Sequence, residues 1–137
     1  MSDPIIFDDA RLATRDYLRD VLPSYARDVP VSINRPTRSS SASPSRAVWV
    51  RGGTPSRDTT VSASALVRLA IYGDDEGDAV RLGSIVEALL LHEATSDALL
   101  GFTPVSGPAP GTDPDTGDPF ALVIIRARLR PRPLRKD

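Results

Sequence analysis

Two periodicities meet in residues 61 to 91, "VSASALVRLAIYGDDEGDAVRLGSIVEALLL", and this stretch constrains the fold more than any other. From Val61 to Ile71 every odd position is apolar: Val61, Ala63, Ala65, Val67, Leu69 and Ile71. Period two puts them on one face of a strand, and a strand with one apolar face needs a second layer to cover it. From about residue 75 to 91 the period changes. Ala79, Leu82, Gly83, Ile85, Val86, Leu89 and Leu90 share one continuous helical face. A long half-buried strand that passes directly into an amphipathic helix predicts a sheet with a helix folded back onto it.

At the junction stand Asp74, Asp75, Glu76 and Asp78. A calcium loop needs a glycine at its sixth position. Counting from Asp74 puts Ala79 there, and counting back from Gly77 puts Tyr72 at position one. A zinc site wants histidines, and the chain has only His92. A carboxylate acid/base pair needs two different environments, whereas these acids share one polar turn. Acids in a first helical turn meet the positive end of the helix dipole, each contributing about 0.3–1 kcal/mol. The acids are therefore read as a helix start, and no metal, cofactor or catalytic residue is assigned.

Around this unit the other elements fall into place. Residues 8 to 22, "DDARLATRDYLRDVL", predict a helix capped by Asp8 or Asp9 and stopped by Pro23. Its Ala10, Ala13, Tyr17, Leu18 and Val21 share one side, and Arg11, Arg15 and Arg19 another. "VPVSINRP" gives a short strand with Val29, Val31 and Ile33 alternating, and "RAVWVRGG" a second, closed by Gly52-Gly53. Between them "RPTRSSSASPSR" (35 to 46) has no apolar period and predicts a mobile loop. "HEATSDALLGF" is read as a short continuation of the second helix, ended by Gly101. "TPVSGPAPGTDPDTGDP" is read as a loop, with a short strand at most over 103 to 106. "FALVIIRARLR" is the last strand, and 131 to 137 an extended basic tail in which Arg-Pro repeats favour polyproline geometry. The order α, β, β, β, α, β, β predicts one α+β domain over residues 1 to 137. It would hold a single mixed, mainly antiparallel sheet with two helices on one face.

Composition narrows the function classes. The chain has 137 residues and a net charge of −1, so no global field draws nucleic acid or membrane. Cysteine is absent, which removes disulfides, thiolate metal sites and thiol nucleophiles. No apolar run approaches the roughly 20 residues of a membrane span. The first residues have early acids and no basic leader, so no signal peptide is expected. All basic side chains but Lys136 are arginine, the residue suited to bidentate pairing at interfaces.

Enzyme signatures are weak. "LGSIV" does not match a G-x-S-x-G elbow, and neither a P-loop nor a G-x-G-x-x-G turn occurs. A small hydrolase using Ser84 and His92 is one reading, but eight residues along one helix separate the two by about 12 Å. "RGGTPSR" offers backbone N–H groups and two arginines, either a weak phosphate cradle or a strand-ending turn. Trp49, between Val48 and Val50, reads as a packed strand residue.

Two surface patterns remain. Val80, Ser84, Ala88 and Leu91 form a second stripe on the far side of the second helix, either chance exposure or a contact with a neighbouring subunit. In the last strand Arg126, Arg128 and Arg130 share a face with Phe120, Leu122 and Ile124, so the strand is expected to start in the core and leave it as a basic ridge. That ridge is either a charged strand end that blocks edge pairing or a surface for an acidic partner or a DNA backbone.

Three segments carry a resemblance. "DARLATRDYLRDVL" precedes a short strand ending "NRP", "RLAIYGDDEGDAVRLGSIVEALL" carries strand into helix, and "GFTPVSGPAPGTDPDTGDPFALVIIRARLR" ends in a Gly-Pro loop, an aromatic and a last strand. In length, element order and loop character the chain resembles the tail terminator proteins of long-tailed bacteriophages, over nearly its whole length and without a diagnostic motif. Members often carry a tryptophan where this chain has Tyr72. The resemblance implies a structural virion protein at the head-proximal end of the tail. It would form a homohexameric ring that caps the tail tube, halts its polymerisation, and docks the head-completion (stopper) protein while double-stranded DNA passes through. Its partners would be its own copies, the major tail tube protein and the stopper. The neighbouring alternative is another neck component, a stopper or an adaptor. In such a ring the interface residues are expected to be Asp74, Asp75, Glu76 and Asp78, the Val80, Ser84, Ala88 and Leu91 stripe, and Arg126, Arg128 and Arg130.

Overall fold

The structure, a computed structural model, describes residues 3–36 and 46–136. The low-complexity run at 35–46 lies, except for Arg35, Pro36 and Arg46, outside the described residues. In chain order the elements are β1 (Ile5–Ile6), α1 (Ala10–Val21) with a 3-10 turn (Leu22–Ser24), β2 (Val31–Ser32), β3 (Ala47–Gly52), β4 (Ser56–Thr59), β5 (Ser62–Tyr72), α2 (Glu76–Leu91), β6 (Leu99–Thr112), β7 (Pro119–Leu129) and β8 (Arg132–Pro133). One sheet runs in the order β2-β3-β5-β7-β6, with β4 also paired to β5. β2 and β3 are parallel and the other pairs antiparallel, so the α+β expectation of a mixed, mainly antiparallel sheet is correct.

Both helices pack on one face of this sheet. The odd positions of β5 from Ala63 to Ile71 and of β7 from Val123 to Leu129 are buried, together with Val48 and Val50 of β3. Against them lie Leu18 and Leu22 from the first helical segment, and Leu82, Val86 and Leu90 from α2. Burying each such side chain stabilises by about 1.5–3 kcal/mol. Only Val61 fails the odd-position pattern: it precedes the strand and is 58% exposed.

Local chemistry sets both helix starts. Asp9 Oδ1 accepts from the Arg11 N–H at 2.9 Å, and Asp75 Oδ1 from the Asp78 N–H at 2.7 Å. Each satisfies a donor that the first helical turn leaves free. Thr14, which the apolar count for α1 missed, is fully buried because its hydroxyl donates to the Ala10 carbonyl at 2.7 Å. Gly83 lets α2 approach closely: a Cβ there would stand 3.0 Å from Pro108 Cβ and 3.3 Å from Ala121 Cβ.

Four expectations are corrected. Residues 92–101 do not extend α2, and 103–119 is not mainly loop. The chain turns after His92, and Leu99–Thr112 forms a long edge strand on β7 with register shifts near Gly101, Ser106 and Ala109. Prolines are tolerated because an edge strand needs hydrogen bonds on one side only. Gly107, at φ +101°, makes a further irregularity possible, since a Cβ there would run into the Leu122 carbonyl. The turn after Gly53 leads into β4, whose residues are all exposed and so show no apolar period. The tail is not purely polyproline-like: Arg132–Pro133 pairs with Ile5–Ile6, and Leu134 N–H donates to the Pro4 carbonyl at 2.7 Å.

Candidate interaction surface

The helices cover one face of the sheet; among the described residues no helix lies over the other, the open face, although Ala47, Ala70 and Tyr72 are buried at one end of it beside Trp49 and Phe120. On the open face lie the even positions of β5 and β7 together with Trp49 and Arg51 of β3. Phe120, Leu122 and Ile124 are therefore not core residues that give way to a ridge. They are half-buried on the same open face as Arg126 and Arg128. Tyr72 pairs with Phe120 at one end of this face, and Ser64 with Arg128 near the other.

The first end carries aromatic rings and a tight polar cluster. Tyr72 and Phe120 have ring centroids 5.9 Å apart. Trp49 donates to the Ile33 carbonyl at 3.3 Å, with the Arg51 guanidinium 4.3 Å from its ring centroid. Asp113, at the end of β6, is buried, and its carboxylate accepts from Arg35 at 2.7 and 2.8 Å and from the Tyr72 hydroxyl at 3.0 Å. The Asp115 N–H also donates to it at 2.9 Å. Burial acts to push the Asp113 carboxyl up, but the Asp115 N–H, the Tyr72 hydroxyl and the Arg35 guanidinium outweigh it and hold the group below the usual carboxylate range. Burial first, and then the bond to Asp113, pushes the Tyr72 phenol up to about 12.

The acidic turn lies beyond this same end, where β5 passes into α2, and its four acids have different jobs. Asp75 caps the helix. Asp78 accepts from Arg46 at 2.6 and 2.9 Å and from the Asp74 N–H at 2.9 Å. The bond to Arg46 holds the Asp78 carboxyl below its ordinary value. Asp74 and Glu76 are exposed, and their carboxylates accept no hydrogen bond among the described residues.

At the other end the three-arginine ridge is reduced. Arg130 Nε donates to the Ser96 carbonyl at 3.1 Å and Nη2 reaches the Leu99 carbonyl at 3.5 Å, so this side chain fastens the loop before β6. Arg126 and Arg128 are exposed and make no ion pair among the described residues. Strand register adds two arginines that sequence reading had not joined to them: Arg51 stands directly opposite Arg68, and Leu66, two residues from Arg68, pairs with Arg126. The signal was present, since Arg68 interrupts an otherwise uncharged strand, but its neighbours depend on register.

The stripe on α2 is exposed in part. Ser84, Ala88 and Leu91 are open to solvent and Val80 is half-buried. Ser84 donates its hydroxyl back to the Val80 carbonyl at 3.1 Å, and His92 stands exposed just past the helix end. Among the described residues no cluster of histidines and acids is arranged to hold a metal ion, and no helix is long and apolar enough to cross a membrane. No protein-family profile and no curated protein sequence matches the chain.

Proposed function

We propose that this chain is a tail terminator of a long-tailed bacteriophage, a structural protein of the virion. Six copies close into a ring on the head-proximal end of the tail tube. The ring stops tube polymerisation and offers a docking face to the head-completion protein, with double-stranded DNA passing through its centre. The family comes from the resemblance in element order and loop character. What supports it in the fold is one observation: a single sheet carries exposed acids beyond one end and exposed arginines near the other, none of them in an ion pair among the described residues. Tyr72 and Ser64 mark those ends and lie eight residues apart on β5, about 26 Å at roughly 3.3 Å per residue. Within one subunit Arg128 therefore cannot reach the acidic turn.

A closed ring uses unlike patches, one toward each neighbour. Arg128 on one subunit meets Asp74 and Glu76 on the next, and the exposed α2 stripe widens the joint. Asp75 and Asp78 serve the helix start itself and do not cross the joint, and Arg130 is held by carbonyls of its own chain. Charge reversal tests this reading. Arg128→Glu should stop the protein from capping tail tubes while leaving its melting temperature within a few degrees of the parent. Adding Glu76→Arg to the same chain should restore part of the capping. Normal capping by the single variant would remove Arg128 from the joint.

A further inference from the structure

A second feature of the open face does not depend on the ring. Between the β3–β4 turn and the centre of β5 lies a cavity of about 270 Å³. Its walls include Thr54, Ser56, Ser64, Arg68 and Arg126, and among the described residues no acid lines it. The Arg68 guanidinium reaches back over the turn: a Cβ on Gly52 would lie 3.5 Å from its Nη1. Neither Arg68 nor Arg126 has a hydrogen bond or ion pair among the described residues.

This is an unfavourable arrangement for a surface with nothing bound. Arg68 faces Arg51 directly across β3 and β5. Arg126 is its diagonal neighbour, about 7–8 Å away by strand geometry. Like charges at such positions repel, and no acid on the lining relieves them. Arg51 has its own contact, stacked on Trp49. Arg68 and Arg126 have none, and they turn into a recess with three hydroxyl-bearing side chains.

We infer that the recess walled by Arg68, Arg126, Ser64, Ser56 and Thr54 is a binding site for a phosphate group. Two guanidinium groups supply forked N–H donors of the kind that match phosphate oxygens. The hydroxyls rotate to donate to the oxygens left over. Donors arrive from four segments, the β3–β4 turn, β4, β5 and β7, a spread of directions that suits a tetrahedral anion better than a planar carboxylate. The recess is larger than a bare phosphate and open to solvent, so it also admits a phosphate that is part of a larger molecule.

The test is an NMR titration of the full chain, following the arginine Nε–H signals at constant ionic strength. Sodium phosphate should shift the Arg68 and Arg126 signals saturably, and sodium acetate should not. Arg68→Gln and Arg126→Gln should each weaken phosphate binding by about tenfold or more, the loss of one charge-assisted contact, with the fold checked by melting temperature. Arg27→Gln, at an exposed arginine before β2 that lies outside both the recess and the joint, should leave binding unchanged. A short DNA duplex identifies the source. Displacement of phosphate by the duplex, lost in Arg68→Gln, assigns the site to a nucleic-acid backbone; binding of phosphate without such displacement assigns it to a small phosphate compound. Equal shifts with acetate, or an equal loss in Arg27→Gln, would show only diffuse attraction to basic side chains and overturn the site.

Discussion

Tyr72 donates its phenolic hydrogen to Asp113 at 3.0 Å, and so ties the end of β5 to the end of β6 across the intervening β7. The bond joins a buried ring to a buried carboxylate, and both protonation equilibria register it. Tyr72→Phe is expected to cost about 0.5–1.5 kcal/mol in a denaturant titration, the usual net value of one hydrogen bond. The phenol is pushed up to about 12, so its contribution is complete below about pH 10 and is lost as pH rises from there toward 12. Burial also pushes the Tyr17 phenol up, so spectroscopic alkaline titration should show Tyr72 as the last tyrosine to ionise, and Tyr72→Phe should remove that last step.

The acid side has the opposite sign. Asp113 is held below its ordinary value, so its contribution is present above about pH 4 and is lost as pH falls through the lowered folded value. Asp78 and Asp9, also lowered, act in the same direction, chiefly through bonds to Arg46 and Arg11. Equilibrium unfolding followed downward from pH 5 should show stability falling, and Asp113→Asn should flatten that fall. An unchanged slope in the variant would remove Asp113 from the acid response.

Asp78 should matter more to stability than the other acids in its turn. Its carboxylate joins Arg46, at the start of β3, to the start of α2, and also receives the Asp74 N–H. Asp78→Asn is expected to cost about 1–2 kcal/mol, after allowance for solvent screening at the partly exposed Arg46. Glu76→Gln should cost less than about 0.5 kcal/mol. The difference should shrink in high salt. Equal costs would mean that these acids act only through the helix dipole.

Gly83 is expected to be limited by contact rather than helix propensity. Gly83→Val would drive side-chain atoms into Pro108 and Ala121 and should destabilise by about 1–3 kcal/mol. A melting temperature at or above that of the parent would show that β6 moves aside without cost.

The elements legible in the sequence were those with a buried face. β5, α2 and β7 show their periods because one side of each is in the core, and Asp75 and Asp9 sit where the helix periods begin. β6 was missed because it is an edge strand, exposed over most of its length and broken by Pro104, Pro108 and Pro110, so neither period survives in it. β4, "SRDT", has no apolar residue to show. The arginine ridge was legible along β7 as a row, but its true neighbours lie across strands. Arg51, Arg68 and Arg126 come together only through the β3–β5 and β5–β7 registers, which an alternating pattern does not specify. Arg130 looks equivalent to Arg128 in the sequence, but the turn before β6 and the first residue of β6 each place a carbonyl beside it.

The most direct measurement is electron microscopy of tail tubes assembled with and without the protein, followed by averaging of their ends. A terminator gives tubes of limited length, with a six-fold ring of this chain as the last layer at one end only. Tubes that grow without limit in its presence, ends that lack the added layer, or a layer found only on the head side of a separate cap would contradict the assignment.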